Sequence, residues 1–247
     1  MTITPEIRAL AAEALGTGTL VAAVVGSGIM ATDLTNDIGL ALLINAASVV
    51  AALGILIWLL APASGAHLNP GVTLAAAARG DLSPRRAAAY IGAQCGGALL
   101  GVALADIMFS LPAWSTSTTD RTGIGVWIGE LVATAGLIWI IRALGGRSHG
   151  HLAPLLVPAW IGAAYFFTSS TSFANPAVTL GRMLTDTFTG VAPASVLPFV
   201  AAQLLGAGVG LMLAALTDPA PPPSPPDPVE RVEAITTGGA GAVTDRP

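Results

Sequence analysis

The sequence has 247 residues, of which 53% are hydrophobic and only 10% are charged, whereas a soluble globular domain carries roughly 25% charged residues. Its mean hydropathy of +0.75 points the same way and excludes an ordinary soluble fold. The formal net charge is −4, and the basic residues, all of them arginines, are not clustered, which excludes nucleic acid as a partner.

Apolar segments long enough to cross a bilayer follow one another along the chain, since a spanning helix needs about 20 mostly apolar residues. The first segment, residues 9–31, is longer than the ~7–15-residue core of a signal peptide and contains Glu13. We therefore predict that it is the first transmembrane helix. The six predicted spans are residues 9–31, 38–60, 86–109, 124–143, 152–168 and 194–216.

Two further apolar segments, residues 70–79 and 176–185, have only half the spanning length, and both begin with Asn-Pro. Asparagine is a preferred helix N-cap, and proline is a preferred first helical residue. Each segment is therefore predicted to be a half-helix that enters the membrane and ends there. The fold class that follows is an all-α membrane protein with six transmembrane helices and two re-entrant half-helices.

The two halves of the chain repeat each other. The matched positions are residues 66–74 with 172–180, Glu13 with Glu130, and Gln94 with Gln203. Because each half has three spans, the second half is inverted relative to the first, and such repeats place a transport pathway at the bilayer midplane. The predicted divisions are an N-terminal segment 1–8, a first repeat 9–109, an extracellular loop 110–123, a second repeat 124–216 and a tail 217–247.

Arginine is unevenly divided between the loops on the two sides of the predicted membrane protein. With the N-terminus inside, the inner loops hold six arginines and the outer loops hold two, Arg121 and Arg182. This excess predicts that both termini are cytoplasmic and that the protein lies in the inner (plasma) membrane. The Pro-rich run at residues 219–228 predicts a disordered cytoplasmic tail, and a role as a ligand for a partner protein stays open.

The N-termini of the two half-helices are predicted to meet near the middle of the membrane. Non-helical backbone is tolerated at that depth only where it lines protein or a water-filled cavity. Residues 64–68 and 171–174 are therefore predicted to line a pore with their carbonyl groups. Asn69 and Asn175 add side-chain N–H donors, and the positive ends of the half-helices oppose cations.

The repeat and its loops resemble the aquaporin and aquaglyceroporin family over most of the chain, from about residue 9 to residue 216. The motifs that carry the resemblance are Asn69-Pro70-Gly71 and Asn175-Pro176-Ala177, each followed by Val-Thr-Leu. The resemblance implies a passive channel in the lipid bilayer and a homotetramer with one pore per subunit. It also implies that Glu13 and Glu130 brace the pore loops by accepting backbone N–H bonds.

Several of these polar residues allow a second interpretation. A carboxylate within a span marks function and could relay protons in a secondary transporter, although Glu13 and Glu130 lack a histidine or lysine partner in the spans. Gln94 and Gln203 are grouped with them as pore-lining or loop-bracing residues. His67 is expected either to line or gate the pore, as the matching family residue does, or to donate to the backbone.

The sequence departs from the family pattern at the outer constriction. Most members have arginine directly after the second Asn-Pro-Ala, whereas this chain has Val178, and Arg182, one helical turn later, is not expected to replace it. Counting back by the family's spacing places the other constriction positions at Val49, Ala163 and Ser172. The implied constriction is wide, weakly polar and without a cation.

The segment from Asn175 to Arg182, together with Asp186-Thr187-Phe188, resembles a bacterial branch linked to arsenic resistance. That resemblance implies passage of water, glycerol-like polyols and uncharged metalloid acids such as arsenous acid. A strictly water-selective pore is the alternative, and a secondary transporter is a more distant one.

An enzyme is not expected, because no catalytic cluster of Ser-His-Asp, Cys-His or His-Glu type lies beside a span end. No cofactor and no metal are expected either. His149 and His151 could hold a metal, but a solvated loop is the preferred interpretation. Cys95 is expected to be a buried small apolar residue rather than a reactive thiol.

Overall fold

A computed structural model describes residues 3–146 and 148–218. Within these ranges the chain is helical, with no β-strand. The helices are α1 Pro5–Leu34, α2 Ile38–Ser64, α3 Pro70–Ala78, α4 Pro84–Met108, α5 Ile124–Gly146, α6 Ala153–Phe167, α7 Pro176–Arg182 and α8 Pro193–Thr217, with a 3-10 turn Gly150–Leu152 before α6.

Six of these helices are long and apolar enough to cross a membrane, and α6 reaches the required length together with its 3-10 turn. The predicted all-α class with six spans is confirmed. The predicted tail beyond residue 218 lies outside the described residues. The observed helices extend past several predicted ends; α1, for example, begins at Pro5 instead of residue 9.

Polar caps and prolines set the helix ends. Thr4 accepts a hydrogen bond from the Ile7 N–H at 3.3 Å, and Asp37 accepts one from the Leu40 N–H at 2.9 Å. At the other end of α2, Gly65 adopts φ +86°, a left-handed conformation that favours glycine. The capping residues are short polar side chains that hydropathy averages do not detect, which is why the first span is longer than predicted.

The half-helices α3 and α7 have 9 and 7 residues. Each begins at the proline of an Asn-Pro pair, as predicted. Helix α7 ends at Arg182, three residues before the predicted end at residue 185. The chain turns there because the Leu184 N–H bonds to the Gly181 carbonyl at 2.9 Å, and the Thr185 hydroxyl donates to Asp106 at 2.9 Å.

Two equivalent helix pairs, α1 with α4 and α5 with α8, pack most extensively. Their contacts depend on glycine. A Cβ on Gly97 would lie 2.1 Å from the Ala14 carbonyl oxygen, and one on Gly206 would lie 2.5 Å from that of Leu131. The repeat seen in the sequence is therefore also a repeat of close backbone contacts.

Gly97→Ala is expected to lower the free energy of unfolding by about 1–3 kcal/mol, because an added methyl group forces α1 and α4 apart. Thermal melting in detergent micelles measures the effect. The matched control is Gly96→Ala, at an exposed neighbouring position where an added Cβ meets nothing within 4 Å. A similar loss in both variants would contradict the importance of the close contact.

Candidate pore

A cavity of about 330 Å³ runs between the half-helices. Its lining includes Ala76, near the C-terminal end of α3, and Arg182, at the C-terminal end of α7. It also includes Asn69 and Asn175, which cap the N-terminal ends of both half-helices. Since the half-helices approach each other through their N-termini, the cavity follows both of them along their length.

Reciprocal hydrogen bonds connect each Asn-Pro motif to the pore loop of the other repeat. The Asn69 side-chain amide donates to the Ala174 carbonyl at 2.7 Å, and the Asn175 amide donates to the Leu68 carbonyl at 2.8 Å. Each asparagine also caps its own half-helix through Oδ1, and each amide nitrogen has a second N–H for a solute. A methyl group on Gly71 would lie 3.9 Å from Pro176, so glycine there leaves slightly more room between the motifs.

The backbone before each half-helix alternates in the same way in both repeats. Ala66 and Leu68 have φ values of 48° and 49°, and the matching Ser172 and Ala174 have 53° and 47°. Non-glycine residues occupy this left-handed region at a cost, and they persist where surrounding contacts hold them. All four residues line the cavity.

Those contacts come from two buried carboxylates. Glu13 accepts hydrogen bonds from the His67 N–H at 2.9 Å and the Leu68 N–H at 2.7 Å. It also accepts one from the Ser64 hydroxyl at 2.6 Å. The first pore loop is therefore tied to α1 at three points.

The second repeat has the equivalent arrangement. Glu130 accepts from the Phe173 N–H and the Ala174 N–H, both at 2.8 Å. Gln203 links Glu130 at 2.6 Å to the Thr179 hydroxyl at 2.8 Å. In the first repeat, Gln94 makes the matching contacts to Glu13 at 2.7 Å and Thr73 at 2.9 Å.

His67 lines the cavity, and its ring Nδ1 lies 3.1 Å from the Thr73 hydroxyl. Its backbone N–H donates to the Glu13 carboxylate, and its ring contacts a side-chain hydroxyl instead of the backbone. A gating role stays a prediction. His149 and His151 lie elsewhere, with ring centroids 6.1 Å apart. Among the described residues, no group of three or more His, Cys, Asp or Glu side chains is placed to hold a metal ion.

Three of the four predicted constriction residues line the cavity: Val49, Ser172 and Val178. The prediction for Ala163 was wrong, because it is exposed on the outer face of α6. Ile161 and Tyr165 line the cavity instead, since two residues along a helix point about 200° apart. The family's spacing from the second Asn-Pro motif back to α6 crosses an irregular loop, which does not preserve helical register.

The position directly after the second Asn-Pro-Ala is Val178, and a constriction without the usual arginine there stays a prediction. Arg182, one turn further along α7, is only 4% exposed and lines the cavity. Its Nε–H donates to the Thr189 carbonyl, and its guanidinium carbon lies 3.3 Å from the centroid of the Phe173 ring. Residues 178 and 182 share one face of α7 because residues four apart on a helix are neighbours.

A second arginine, Arg121, also lies near the Phe173 ring. The Arg121 guanidinium donates to the Gly190 carbonyl at 2.9 Å and the Phe188 carbonyl at 3.2 Å, 5.5 Å from the Phe173 centroid. Burial lowers the pKa of Arg121 below its ordinary value, but a guanidinium stays protonated in proteins. Its contacts hold the loop after α7.

An inverted helical repeat whose two half-helices meet at a largely apolar cavity, with the Asn69 and Asn175 amides at its middle, defines a membrane channel. Residues 1–172 match the major intrinsic protein family. The chain is 52% identical over 206 residues to aquaglyceroporin AqpS of Rhizobium meliloti (strain 1021), covering 83% of this chain and 88% of the relative. The chain belongs to the major intrinsic protein family, and it is a passive channel for water and small solutes.

Other similarities agree with this assignment. The glycerol uptake facilitator protein of Bacillus subtilis (strain 168) is 31% identical over 141 residues, which are 51% of each chain. The solved structure of the aquaglyceroporin from Plasmodium falciparum superposes with a TM-score of 0.65 at 20% identity, covering 86% of this chain and 96% of that one. At that identity the match supports the fold alone.

Proposed function

We propose that the channel is wide enough to pass neutral solutes larger than water, namely glycerol-like polyols and uncharged metalloid acids such as arsenous acid. The observation that carries this proposal is Val178, a short aliphatic side chain buried in the cavity wall. Val49 adds a second aliphatic side chain, and Asn69 and Asn175, whose side-chain amides are N–H donors, line the same cavity. A hydroxylated solute therefore meets both an apolar wall and polar amide groups.

The bracing role of Glu13 and Glu130 is part of this proposal. Each carboxylate accepts at least three hydrogen bonds from its pore loop and the neighbouring glutamine, all at 2.9 Å or less. A proton relay needs a carboxylate that can change its hydrogen-bond partners as it gains and loses a proton. The carboxylates of Glu13 and Glu130 both accept hydrogen bonds from backbone N–H groups of the pore loops. These contacts favour a fixed pore over a secondary transporter.

We also propose the orientation and assembly. The excess of arginine in one set of loops supports cytoplasmic termini in the inner membrane, so that the Arg182 end of the cavity faces outward. Large apolar side chains such as Trp58 and Leu155, 71% and 65% exposed, need lipid or another subunit beside them. A homotetramer with one pore per subunit satisfies that need.

Stopped-flow light scattering of proteoliposomes tests the solute range. After a sucrose shock we expect fast shrinkage, and after a glycerol or arsenous acid shock we expect fast shrinkage followed by reswelling. Empty liposomes give the background, and arsenate, which is charged at neutral pH, is the matched solute control. Shrinkage without reswelling in either neutral solute would overturn the proposal in favour of a strictly water-selective pore.

A further inference from the structure

We propose that Arg182 supplies the cation barrier of the outer constriction, one helical turn away from the position that Val178 occupies. The inference concerns the same pore as the proposed function and rests on it only for the identity of the neutral solutes. An arginine directly after the Asn-Pro motif would both narrow the pore and supply the positive charge. In this chain the two properties are separated, because the short side chain of Val178 keeps the pore wide near the motif and Arg182 places the charge one turn further along α7.

The guanidinium of Arg182 is held in place from two sides. The Thr189 carbonyl accepts from Nε, and the face of the Phe173 ring lies 3.3 Å from the guanidinium carbon. A cation above an aromatic face is attracted by the ring quadrupole. Phe173 is itself fixed, because its backbone N–H donates to Glu130 and its ring packs on Phe199 at a centroid distance of 4.9 Å.

The charged groups that act electrostatically on Arg182 include Arg121, which has the same sign, and Glu130, which forms no salt bridge with it. Among the described residues, Arg182 takes part in no salt bridge, whereas Arg79 pairs with Asp81 at 3.3 Å. Within the described part of the chain, only Nε of the guanidinium donates to a protein acceptor, the Thr189 carbonyl. In a cavity of low dielectric constant a charge without a contacting counter-ion acts over a longer distance than it would in water, so Arg182 opposes cations that enter the pore.

The remaining N–H groups of the guanidinium give the same residue a second role. Arginine has five N–H donors and no acceptor, so it can donate to the hydroxyl oxygens of a neutral solute and cannot stabilise a hydrated cation. The Asn175 side-chain amide, on a residue that lines the same cavity, adds a further N–H donor. Together they favour neutral hydroxylated solutes over protons and metal cations.

Proton leak tests the inference directly. Proteoliposomes loaded with a pH-sensitive dye and driven by a valinomycin–K⁺ potential report proton entry per channel. Arg182→Met is expected to raise this leak at least tenfold, whereas Arg182→Lys, which keeps the charge, stays near the wild-type leak. The double variant Val178→Arg/Arg182→Met returns a cation to the adjacent turn and is expected to reduce the leak again.

The two proposals fail in different ways. Water flux without glycerol or arsenous acid flux in the wild type would overturn the proposed solute range and leave the leak comparison intact. An unchanged leak in Arg182→Met, with water flux present, would overturn the role of Arg182 alone. If the Met variant forms no open channels, Arg182→Gln, which keeps hydrogen-bonding capacity without the charge, gives the same comparison.

Discussion

Glu130→Gln is expected to reduce water and solute permeability at least tenfold and to lower the melting temperature. The carboxylate is fully buried and accepts from the backbone N–H groups of Phe173 and Ala174 and from Gln203. Hydrogen bonds to a charged group contribute about 1.5–3 kcal/mol each, and a buried donor left without a partner costs about 1–3 kcal/mol. Glutamine removes the charge and directs an NH₂ group at one of these donors.

The matched control for this prediction is Glu6→Gln, which makes the same chemical change at an exposed position in the first turn of α1. It removes only a favourable helix-terminus charge, worth about 0.3–1 kcal/mol. Light scattering and thermal melting of both variants give the comparison. Wild-type permeability in Glu130→Gln would mean that the second pore loop holds its shape without the carboxylate. If solute transport by the wild type followed a pH gradient and transport by Glu130→Gln did not, the result would instead support the secondary-transporter interpretation.

Features encoded by neighbouring residues could be predicted from the sequence. Six apolar stretches of spanning length and two Asn-Pro starts were sufficient for the helices and half-helices. The asparagines cap α3 and α7 through contacts only two or three residues away. Matched residues in the two repeats also predicted which side chains share a role, because an inverted repeat places equivalent residues in equivalent surroundings.

Features that depend on register across an irregular segment could not be predicted. The family's spacing predicts Ala163 at the constriction, but the loop after α6 shifts the wall to Tyr165. Helix α6 is apolar on nearly every face, so no polar stripe in the sequence marks the side that lines the cavity. Distance along the chain predicts that Arg182 does not replace the residue at position 178, whereas its burial in the cavity wall depends on Phe173 and Thr189, which are brought to it by folding.

The repeat is exact enough to reveal where the two ends of the pore differ. His67 packs against Tyr90 with ring centroids 5.4 Å apart, and the matching Phe173 packs against Phe199 at 4.9 Å. The same scaffold therefore presents an imidazole on one side of the motifs and a phenyl ring on the other. Among the described residues, a buried arginine is stacked on the phenyl ring, whereas the arginine near the Tyr90 ring, Arg86, is exposed.

Val178→Arg is expected to reduce glycerol and arsenous acid permeability at least tenfold while reducing water permeability much less. The longer side chain enters the cavity, whose wall includes the short side chains of Val49 and Ser172. It also places a second guanidinium four residues from Arg182 on the same helix face, where like charges repel. The new side chain must therefore extend into the cavity and not along α7.

Val178→Met separates size from charge in this experiment, because methionine has a long side chain without a charge. If width limits the solutes, Met and Arg both reduce glycerol flux, and the proton leak stays low in both because Arg182 is still present. If only Arg reduces glycerol flux, the effect is electrostatic and the wall at residue 178 is not the narrowest point. Unchanged glycerol flux in both variants would contradict the placement of the constriction at Val178. The narrowest point would then lie beside Tyr165 and Ile161, which line the same cavity from α6.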